Sequence, residues 1–218
     1  MFLWEKRVFL EGASLIVGLD EAGRGPLAGP VVAAAVMLTQ RPMVKFRMPM
    51  FKERIDDSKK LLPRERQRAF AEIAEKSIFA TGLKGHNFID KKNILKATTA
   101  AMELAVRRII KQFCRMNNKG SQGIEKKVCI LVDGNIRLNL PYKTVQIVRG
   151  DSKSFTIAAA SIVAKVTRDS IMDSYDKRYP AYGFLRHKGY GTRFHFDAIK
   201  RYGPCPIHRK TFAPIREA

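Results

Sequence analysis

Acidic residues close three short apolar runs of this sequence. Leu15–Leu19 is followed by Asp20 and Glu21, Val128–Val132 by Asp133, and Thr144–Val148, after two intervening residues, by Asp151. Short apolar runs are typical of buried strands, and ligands of open α/β sheets bind outside the carboxyl ends of the strands. We therefore expect Asp20, Asp133 and Asp151 to converge at one edge of a sheet.

Such a cluster favours metal-dependent hydrolysis. Several carboxylates cannot all be ionised in one place without a counter-charge, and their oxygens suit hard cations such as Mg²⁺ or Mn²⁺. Two such ions, roughly 3.5–4 Å apart, can activate a water molecule and stabilise the leaving oxygen of a phosphodiester. Glu21 joins this site only if the chain already turns there, because neighbouring side chains on a strand point to opposite faces.

The loop Ala22–Pro30 follows the first two acids and contains three glycines, two prolines and Arg24. Glycine permits positive φ and lets backbone N–H groups approach a ligand without a Cβ in the way. The combination suits a phosphate-bearing substrate beside a metal site. Taken alone, the stretch fits an ordinary acidic turn before a Gly-Pro loop equally well.

The charge of the chain indicates the class of its partner. Lys and Arg number 41 against 20 Asp and Glu, a formal net charge of +21, and the usual partner of so basic a protein is nucleic acid. No apolar run has the length of a membrane span, and charged residues near the N-terminus leave no room for a signal-peptide core. The three cysteines are widely spaced and predict neither disulfides nor zinc, so we expect a reduced, cytoplasmic protein.

The pattern of elements predicts a single α/β domain over residues 1–218. Residues 1–13 form a lead-in, residues 40–55 and 117–127 are loops, and residues from about 180 to 218 form a basic, aromatic C-terminal segment. The first two strands are expected to be antiparallel because their connection is short. The predicted strands are 15–19, 31–38, 77–83, 128–132 and 144–148. One helix is predicted to begin at Pro63, and three more are predicted over residues 93–113, 155–179 and 194–202.

Other polar residues fit either a site or the ordinary surface. Asp56 and Asp57 could approach Asp20 in space, but a solvated turn before a helix is the simpler interpretation. Asp169 could assist the metal site, or form an ion pair one turn from Lys165. The histidines, which lack a metal-ligand spacing with any carboxylate, are interpreted as phosphate-facing or packing residues: His187, His195 and His208.

The segment Asp20–Val36 resembles the opening signature of ribonuclease HII, the bacterial type 2 ribonuclease H family. The resemblance continues in order to about residue 216 through these segments: Asp57–Leu61, Val132–Asn135, Gly150–Ser154, Ala158–Asp169, Tyr182–Phe184 and His187–Thr192. It implies a ribonuclease H-like fold, a mixed five-stranded sheet flanked by helices with a C-terminal helical extension.

The resemblance also implies an activity and its residues. The family cleaves RNA paired with DNA, including single ribonucleotides embedded in duplex DNA, and leaves a 3′-hydroxyl and a 5′-phosphate. The implied metal-binding catalytic carboxylates are Asp20, Glu21, Asp133 and Asp151; the implied ribonucleotide contacts are Gly23, Arg24, Gly25 and Tyr190, the last stacking on the sugar. Lys153 and Lys188 could neutralise phosphates or be surface charge.

Two other functions share some of these features. A non-catalytic nucleic-acid-binding protein would be equally basic, but it has no use for acids that face a polyanion. Another two-metal nuclease, such as a resolvase, shares the acids but gives no reason for Gly23–Gly25 and Tyr190. The preferred metal, the main substrate and any replication clamp partner stay open, and a monomer is the default expectation.

Overall fold

The computed structural model describes residues 1–38, 50–118, 123–213 and 215–217. Five strands form its sheet: β1 (Leu15–Ala22), β2 (Val31–Leu38), β3 (Ser77–Lys84), β4 (Val128–Asp133) and β5 (Lys143–Ile147). Seven α-helices are described: α1 (Leu3–Leu10), α2 (Pro63–Lys76), α3 (His86–Lys92), α4 (Ile94–Met116), α5 (Phe155–Arg178), α6 (Phe184–His187) and α7 (Arg193–Tyr202).

The sheet is mixed, with the strand order β3-β2-β1-β4-β5. β2 is antiparallel to both of its neighbours, whereas β1, β4 and β5 run parallel to one another. The carboxyl ends of β1 and β4 therefore lie side by side at one edge of the sheet. This confirms the predicted five-stranded mixed sheet and the antiparallel pairing of the first two strands.

The sheet is buried on both faces. Alternate residues of β2 separate into two apolar clusters: Ala33 and Ala35 pack with α4, and Ala34 and Val36 pack with α5 and α2. Helix α5 lies so close to β1 that a Cβ on Gly18 would stand 2.1 Å from a backbone atom of Thr156. The small residues at the start of α5 allow this approach, which fixes the helix over the strand that carries Asp20.

Most of the predicted lead-in, residues 1–13, forms the helix α1. In α1, Glu5 is 1 % exposed, and its Oε1 accepts hydrogen bonds from the Ser154 hydroxyl, at 2.7 Å, and the Thr156 amide, at 2.9 Å. The predicted side-chain cap of α5 is present, because Ser154 Oγ accepts from the amide of Ile157. Helix α1 therefore closes the N-terminus of α5, immediately after Asp151.

The remaining predicted elements agree with the structure to within a few residues, but the sequence analysis missed the short helices α3 and α6. Residues 40–49 of the predicted loop 40–55, and residues 119–122 of the loop 117–127, lie outside the described residues. Residues 125–127 form a 3-10 turn. No helix in the described ranges is long and apolar enough to cross a membrane.

The C-terminal segment is helical and packs on the loop after β1. Helices α6 and α7 share an apolar cluster with Leu27 and Met172. The amide of Leu27 donates to the Gly189 carbonyl at 2.8 Å, and Ala28 forms an isolated antiparallel bridge with His208. The loop that follows the first acids is thus held between the sheet and the C-terminal segment.

Candidate active site

Asp20, Asp133 and Asp151 converge at the edge where β1 and β4 end. One carboxylate oxygen from each residue lies within 4.8 Å of the other two. Asp20 and Asp151 are buried, and Asp133 is partly buried. The parallel pairing of β1 with β4 places the first two side by side, as the positions of the acids in the sequence predict.

A tight turn brings Asp151 back to this edge. β5 ends at Ile147, Arg149 adopts the left-handed region at φ 56°, and residues 150–152 form a 3-10 turn. The amide of Gly150 donates to Asp133 Oδ1 at 2.6 Å, so the turn is tied to the neighbouring acid. This geometry explains how an acid that follows its strand late can still join the cluster.

The electrostatics of the centre disfavour full ionisation. Burial, followed by the carboxylates of Glu21 and Asp133, raises the pKa of Asp20 well above its usual value. Burial, followed by the charges of Asp57 and Asp133, also raises the pKa of Asp151. A divalent cation would relieve this repulsion, and the oxygen donors present are of the type that Mg²⁺ and Mn²⁺ prefer.

Glu21 lies beside this group but outside the set of mutually close oxygens. The turn that was expected to bring Glu21 into the site is absent, because β1 stays paired with β2 through Ala22, with Glu21 opposite Ala33. The Glu21 carboxylate nevertheless lies close enough to those of Asp20 and Asp133 to repel them, so no turn is needed. Its Oε1 accepts from Arg24 Nη1 at 3.2 Å, and its buried Oε2 has no hydrogen-bond partner among the described residues. Burial raises the pKa of Glu21, although Arg24 opposes the shift.

The turn before α2 also reaches the centre. Lys59 Nζ lies 3.9 Å from Asp151 Oδ2, and Asp57 Oδ1 caps the turn by accepting from the Lys59 amide at 2.9 Å. Burial lowers the pKa of Lys59, but the surrounding carboxylates, Asp57 first and then Asp151, outweigh burial and raise it. The interpretation of this segment as a solvated turn is therefore incomplete, because it also supplies a cation to the acids.

The loop after β1 presents its backbone next to an aromatic ring. Arg24 and Gly25 are exposed, and a Cβ on Gly25 would lie 3.7 Å from Cε1 of Tyr190. Tyr190 is 46 % exposed, and Arg168 Cζ lies 5.9 Å from its ring centroid. The structure therefore brings Tyr190 next to Gly25, in the loop that directly follows Asp20 and Glu21, whereas Gly23 of the same loop is buried.

The predicted lysines are each engaged within the protein. Lys188 Nζ pairs with Asp173, and the exposed Lys153 donates to the carbonyl of Val148 at 2.8 Å. Asp169 forms the expected ion pair with Lys165, at 2.7 Å, and lies outside the acidic group. His187, His195 and His208 are all buried, which confirms packing as their role.

Sequence reasoning missed several residues that shape the site. Glu5, Arg168 and Arg209 are fully buried charged residues. Charged side chains are rarely buried without a specific partner, but their burial cannot be recognised in a chain this rich in cations. Lys59 could have been identified from the sequence, because it lies in Asp57–Leu61, one of the segments that resemble the family.

The mixed sheet and the acids at its edge define the fold and centre of a ribonuclease H-like nuclease. A family model described as Ribonuclease HII matches residues 17–215. The Ribonuclease HII of Caldanaerobacter subterraneus subsp. tengcongensis is 45 % identical over 214 residues, 97 % of this chain and 79 % of the relative. That of Geobacter metallireducens is 45 % identical over 220 residues, 100 % of this chain and 92 % of the relative.

The chain therefore belongs to the ribonuclease HII family. It is accordingly a hydrolase with ribonuclease H activity on RNA paired with DNA.

Solved structures share the fold at lower identity. The ribonuclease H2 of Pyrococcus horikoshii has a TM-score of 0.69 at 24 % identity, covering 93 % of this chain and 96 % of that one. The Archaeoglobus fulgidus RNase HII, solved as a PCNA complex, has a TM-score of 0.66 at 21 % identity, covering 91 % and 95 %. A Bst-RNase HIII solved with Mn²⁺ has a TM-score of 0.65 at 16 % identity, covering 95 % and 70 %.

Proposed function

We propose that this protein is an endonuclease that cleaves the RNA strand of RNA/DNA hybrids and also nicks duplex DNA on the 5′ side of a single embedded ribonucleotide. The products are a 3′-hydroxyl and a 5′-phosphate. The observation that carries the proposal is the loop that directly follows Asp20 and Glu21. It exposes Arg24, which bonds to Glu21, and Gly25, which lies beside the ring of Tyr190. Hydrolysis and recognition of one nucleotide then occur within one site.

The catalytic residues in this proposal are the four carboxylates. Asp20, Asp133 and Asp151 provide oxygens close enough to share a cation, and Glu21 adds a buried oxygen that lacks a partner in the described part of the chain. Mg²⁺ or Mn²⁺, two ions per site, would supply an activated water and a counter-charge for the leaving oxygen. The Mn²⁺ complex of the Bst-RNase HIII concerns that protein and is consistent with such a site.

The substrate contacts in this proposal surround the acids. The segment Gly23–Gly25 is assigned to the ribonucleotide, and its exposed residues, Arg24 and Gly25, offer amides that suit the 2′-hydroxyl, the group that distinguishes RNA from DNA. Tyr190 stacks on the sugar at the junction between ribonucleotide and deoxyribonucleotide. Lys153 and Lys188 are assigned to phosphates, for which Lys188 must exchange its ion pair with Asp173.

The partners and the domain organisation in this proposal follow from the net charge of the chain and from its similarity to known relatives. Residues 1–218 act as one domain, with the segment from about residue 180 against the nucleic acid. The excess of cations supports RNA/DNA hybrid and ribonucleotide-containing duplex as partners, and the protein acts as a cytoplasmic monomer. A replication clamp is the protein partner to test, because the Archaeoglobus fulgidus relative was solved with PCNA.

Cleavage of a DNA duplex with one ribonucleotide tests the proposal. The duplex and an all-DNA control are incubated with Mg²⁺, with Mn²⁺ or with chelator, and the products are mapped. We expect one metal-dependent nick, 5′ of the ribonucleotide, in the first duplex alone. Cleavage of both duplexes would retain a metal-dependent nuclease but refute the 2′-hydroxyl recognition.

Asp133→Asn separates catalysis from binding when both cleavage and affinity are measured on the same duplex. Removal of one negative charge from the centre should abolish cleavage while duplex affinity stays the same or increases. A folded variant that loses binding would contradict the catalytic role of Asp133. Binding without any cut by the unmodified protein, under either metal, would support the non-catalytic binder.

A further inference from the structure

Two arginines are buried behind the exposed loop without an acidic partner. Arg168 on α5 is 1 % exposed, and Arg209 in the C-terminal segment is 0 % exposed. In the described part of the chain, neither guanidinium forms an ion pair, and every hydrogen bond that they donate ends on a backbone carbonyl. A buried charge is costly unless it is fully hydrogen-bonded, so six such bonds indicate a specific arrangement.

The six carbonyls belong to the loop and to the segment that carries Tyr190. Arg209 bridges both ends of the loop, and Arg168 joins its second half to residue 188. The bonds of Arg209 run to Gly29 (3.0 Å), Arg24 (2.9 Å) and Gly23 (2.5 Å), and those of Arg168 run to Pro30 (3.0 Å), Lys188 (3.0 Å) and Ala28 (3.2 Å).

Peptide geometry transmits this arrangement to the outer surface. In a trans peptide the C=O and the following N–H point in opposite directions. Because the carbonyls of Gly23 and Arg24 point inward to Arg209, the amides of Arg24 and Gly25 point outward. Both residues are exposed, and neither amide has an acceptor within the described ranges. These outward amides are free to donate to a ligand.

The packing around the guanidinium groups admits little variation. Gly23 has φ 99°, and a Cβ there would stand 2.1 Å from Arg168 Nε. The loop amides of Leu27 and Gly29 donate to the carbonyls of Gly189 and Ile207, so the same stretch is held from both sides. Burial lowers the pKa of Arg209 to about 9, which still leaves the guanidinium charged at neutral pH.

We infer that Arg168 and Arg209 are positioning residues that aim the Arg24 and Gly25 amides at the 2′-hydroxyl of the substrate and hold Tyr190 in register with them. This inference rests on the proposed function. It assigns ribonucleotide discrimination to two side chains that do not touch the nucleic acid. Lysine cannot replace either arginine, because one ammonium group cannot reach three carbonyls in the plane of a guanidinium.

The test compares Arg209→Met, Arg209→Lys, Arg168→Met and Arg168→Lys with the unmodified protein. Fluorescence anisotropy in chelator gives the dissociation constants for the single-ribonucleotide duplex and the all-DNA duplex. We expect the constant for the all-DNA duplex divided by that for the single-ribonucleotide duplex to fall about tenfold in the Arg209 variants, the loss that corresponds to one or two weakened hydrogen bonds. Hydrogen exchange should accelerate at Leu27 and Gly29.

Arg108→Met is the matched control. Arg108 Nη1 donates to the carbonyl of Thr81 at 2.7 Å, on the face of the sheet covered by α4, and its loss should leave both the ratio and the loop exchange unchanged. Equal weakening of both duplexes in a folded Arg209 variant would reduce the arginine to a structural role and overturn the inference. An Arg209 variant whose ratio of dissociation constants and whose hydrogen exchange in the loop are both unchanged would overturn the inference as well.

Two further outcomes keep the conclusions separate. If the methionine variants do not fold, the lysine variants decide, because they retain the stem and one charge. If the unmodified protein binds both duplexes equally, the proposed 2′-hydroxyl recognition fails, and the inferred discrimination fails with it. Hydrogen exchange then shows independently whether the two arginines order the loop.

Discussion

Burial and the neighbouring carboxylates of Glu21 and Asp133 raise the pKa of Asp20 well above its usual value. The folded protein therefore binds this proton more tightly than the unfolded chain does. The stabilising contribution is present below the unfolded pKa, near 3.8, and is lost as the pH rises through the folded pKa. At higher pH the ionised carboxylate opposes folding until a cation neutralises the centre.

Asp20→Asn should consequently stabilise the metal-free protein while it abolishes cleavage. Asparagine can still accept the bond that Asp20 Oδ1 receives from the Glu21 amide at 2.7 Å. In chelator at pH 8 we expect Tm to rise by about 2–4 °C, the shift that 1 kcal/mol produces in a protein of this size. Thermal unfolding monitored by circular dichroism measures the difference.

Asp197→Asn provides the control, since Asp197 is an exposed acid of α7. Its effect on the free energy of unfolding should be within about 0.5 kcal/mol of zero. Added Mg²⁺ should stabilise the unmodified protein more than Asp20→Asn, because binding to the folded state alone raises stability. An Asp20→Asn protein less stable than the unmodified protein at pH 8 in chelator would contradict repulsion among the carboxylates of the centre.

At the scale of elements, α1 shows how a segment outside the sheet supports the site. Glu5 accepts hydrogen bonds from Ser154 and Thr156 at the start of α5, directly after Asp151. A carboxylate at a helix N-terminus is favourable, and hydrogen bonds to a charged group are the stronger ones. The orientation of α5 and of the turn before it therefore depends on the first residues of the chain.

Glu5→Ala should lower the free energy of unfolding by about 3 kcal/mol, because it leaves buried donors unsatisfied. Urea unfolding measures this change, and cleavage should fall as the position of Asp151 loosens. Glu11→Ala is the matched control on the same segment. Glu11 is exposed and pairs with Arg7 and Lys143 in solvent, so its loss should change stability far less than the loss of Glu5. Equal effects of the two substitutions would refute the capping role.

The C-terminal segment contains a second buried cluster of polar side chains, formed by His187, His195 and His208. His195 Nε2 lies 3.0 Å from His208 Nε2, and the rings of His187 and His195 stack at 4.4 Å. His195 Nδ1 lies 3.0 Å from the carbonyl of Tyr190. Burial is the first cause that lowers the pKa of each of the three, that of His195 to about 4. The cluster is therefore neutral at physiological pH.

This cluster predicts acid sensitivity. A histidine whose folded pKa lies below its unfolded pKa of 6.5 contributes stability above pH 6.5 that is lost as the pH falls towards about 4. Urea unfolding at pH 7 and pH 5 should show a larger loss for the unmodified protein than for His195→Asn. His86→Asn, on α3, should retain most of the loss. An identical loss in all three proteins would exclude the cluster as its source.

For the whole molecule, the sequence predicted whatever depends on local periodicity. Apolar runs located the strands, and the acids that close them identified Asp20, Asp133 and Asp151 as neighbours. The burial of Glu5, Arg168 and Arg209 could not be predicted, because it depends on contacts between distant segments. The turn expected at Glu21 is also absent, because β1 stays paired with β2 past the two acids. No local sequence pattern indicates where such pairing stops.

The net charge of +21 predicts the strongest dependence on conditions. Nucleic-acid binding releases counterions. The logarithm of the binding constant should therefore fall linearly with the logarithm of the salt concentration, by about 0.9 for each phosphate of duplex DNA that the protein neutralises. Anisotropy titrations between about 50 and 200 mM salt measure the slope. If Lys153, which lies two residues from Asp151, contacts a phosphate, Lys153→Gln should reduce the slope by about one contact.

Lys126→Gln separates local contact from total charge. Lys126 is exposed in the 3-10 turn before β4, at the amino end of the strand, whereas the acids stand at the carboxyl ends. Both substitutions lower the net charge equally, so a general electrostatic attraction would change both slopes alike. A reduced slope for Lys153→Gln alone would show that the duplex lies across the edge that carries Asp20 and Asp133. Equal reductions would instead indicate that the charge of the chain acts at long range.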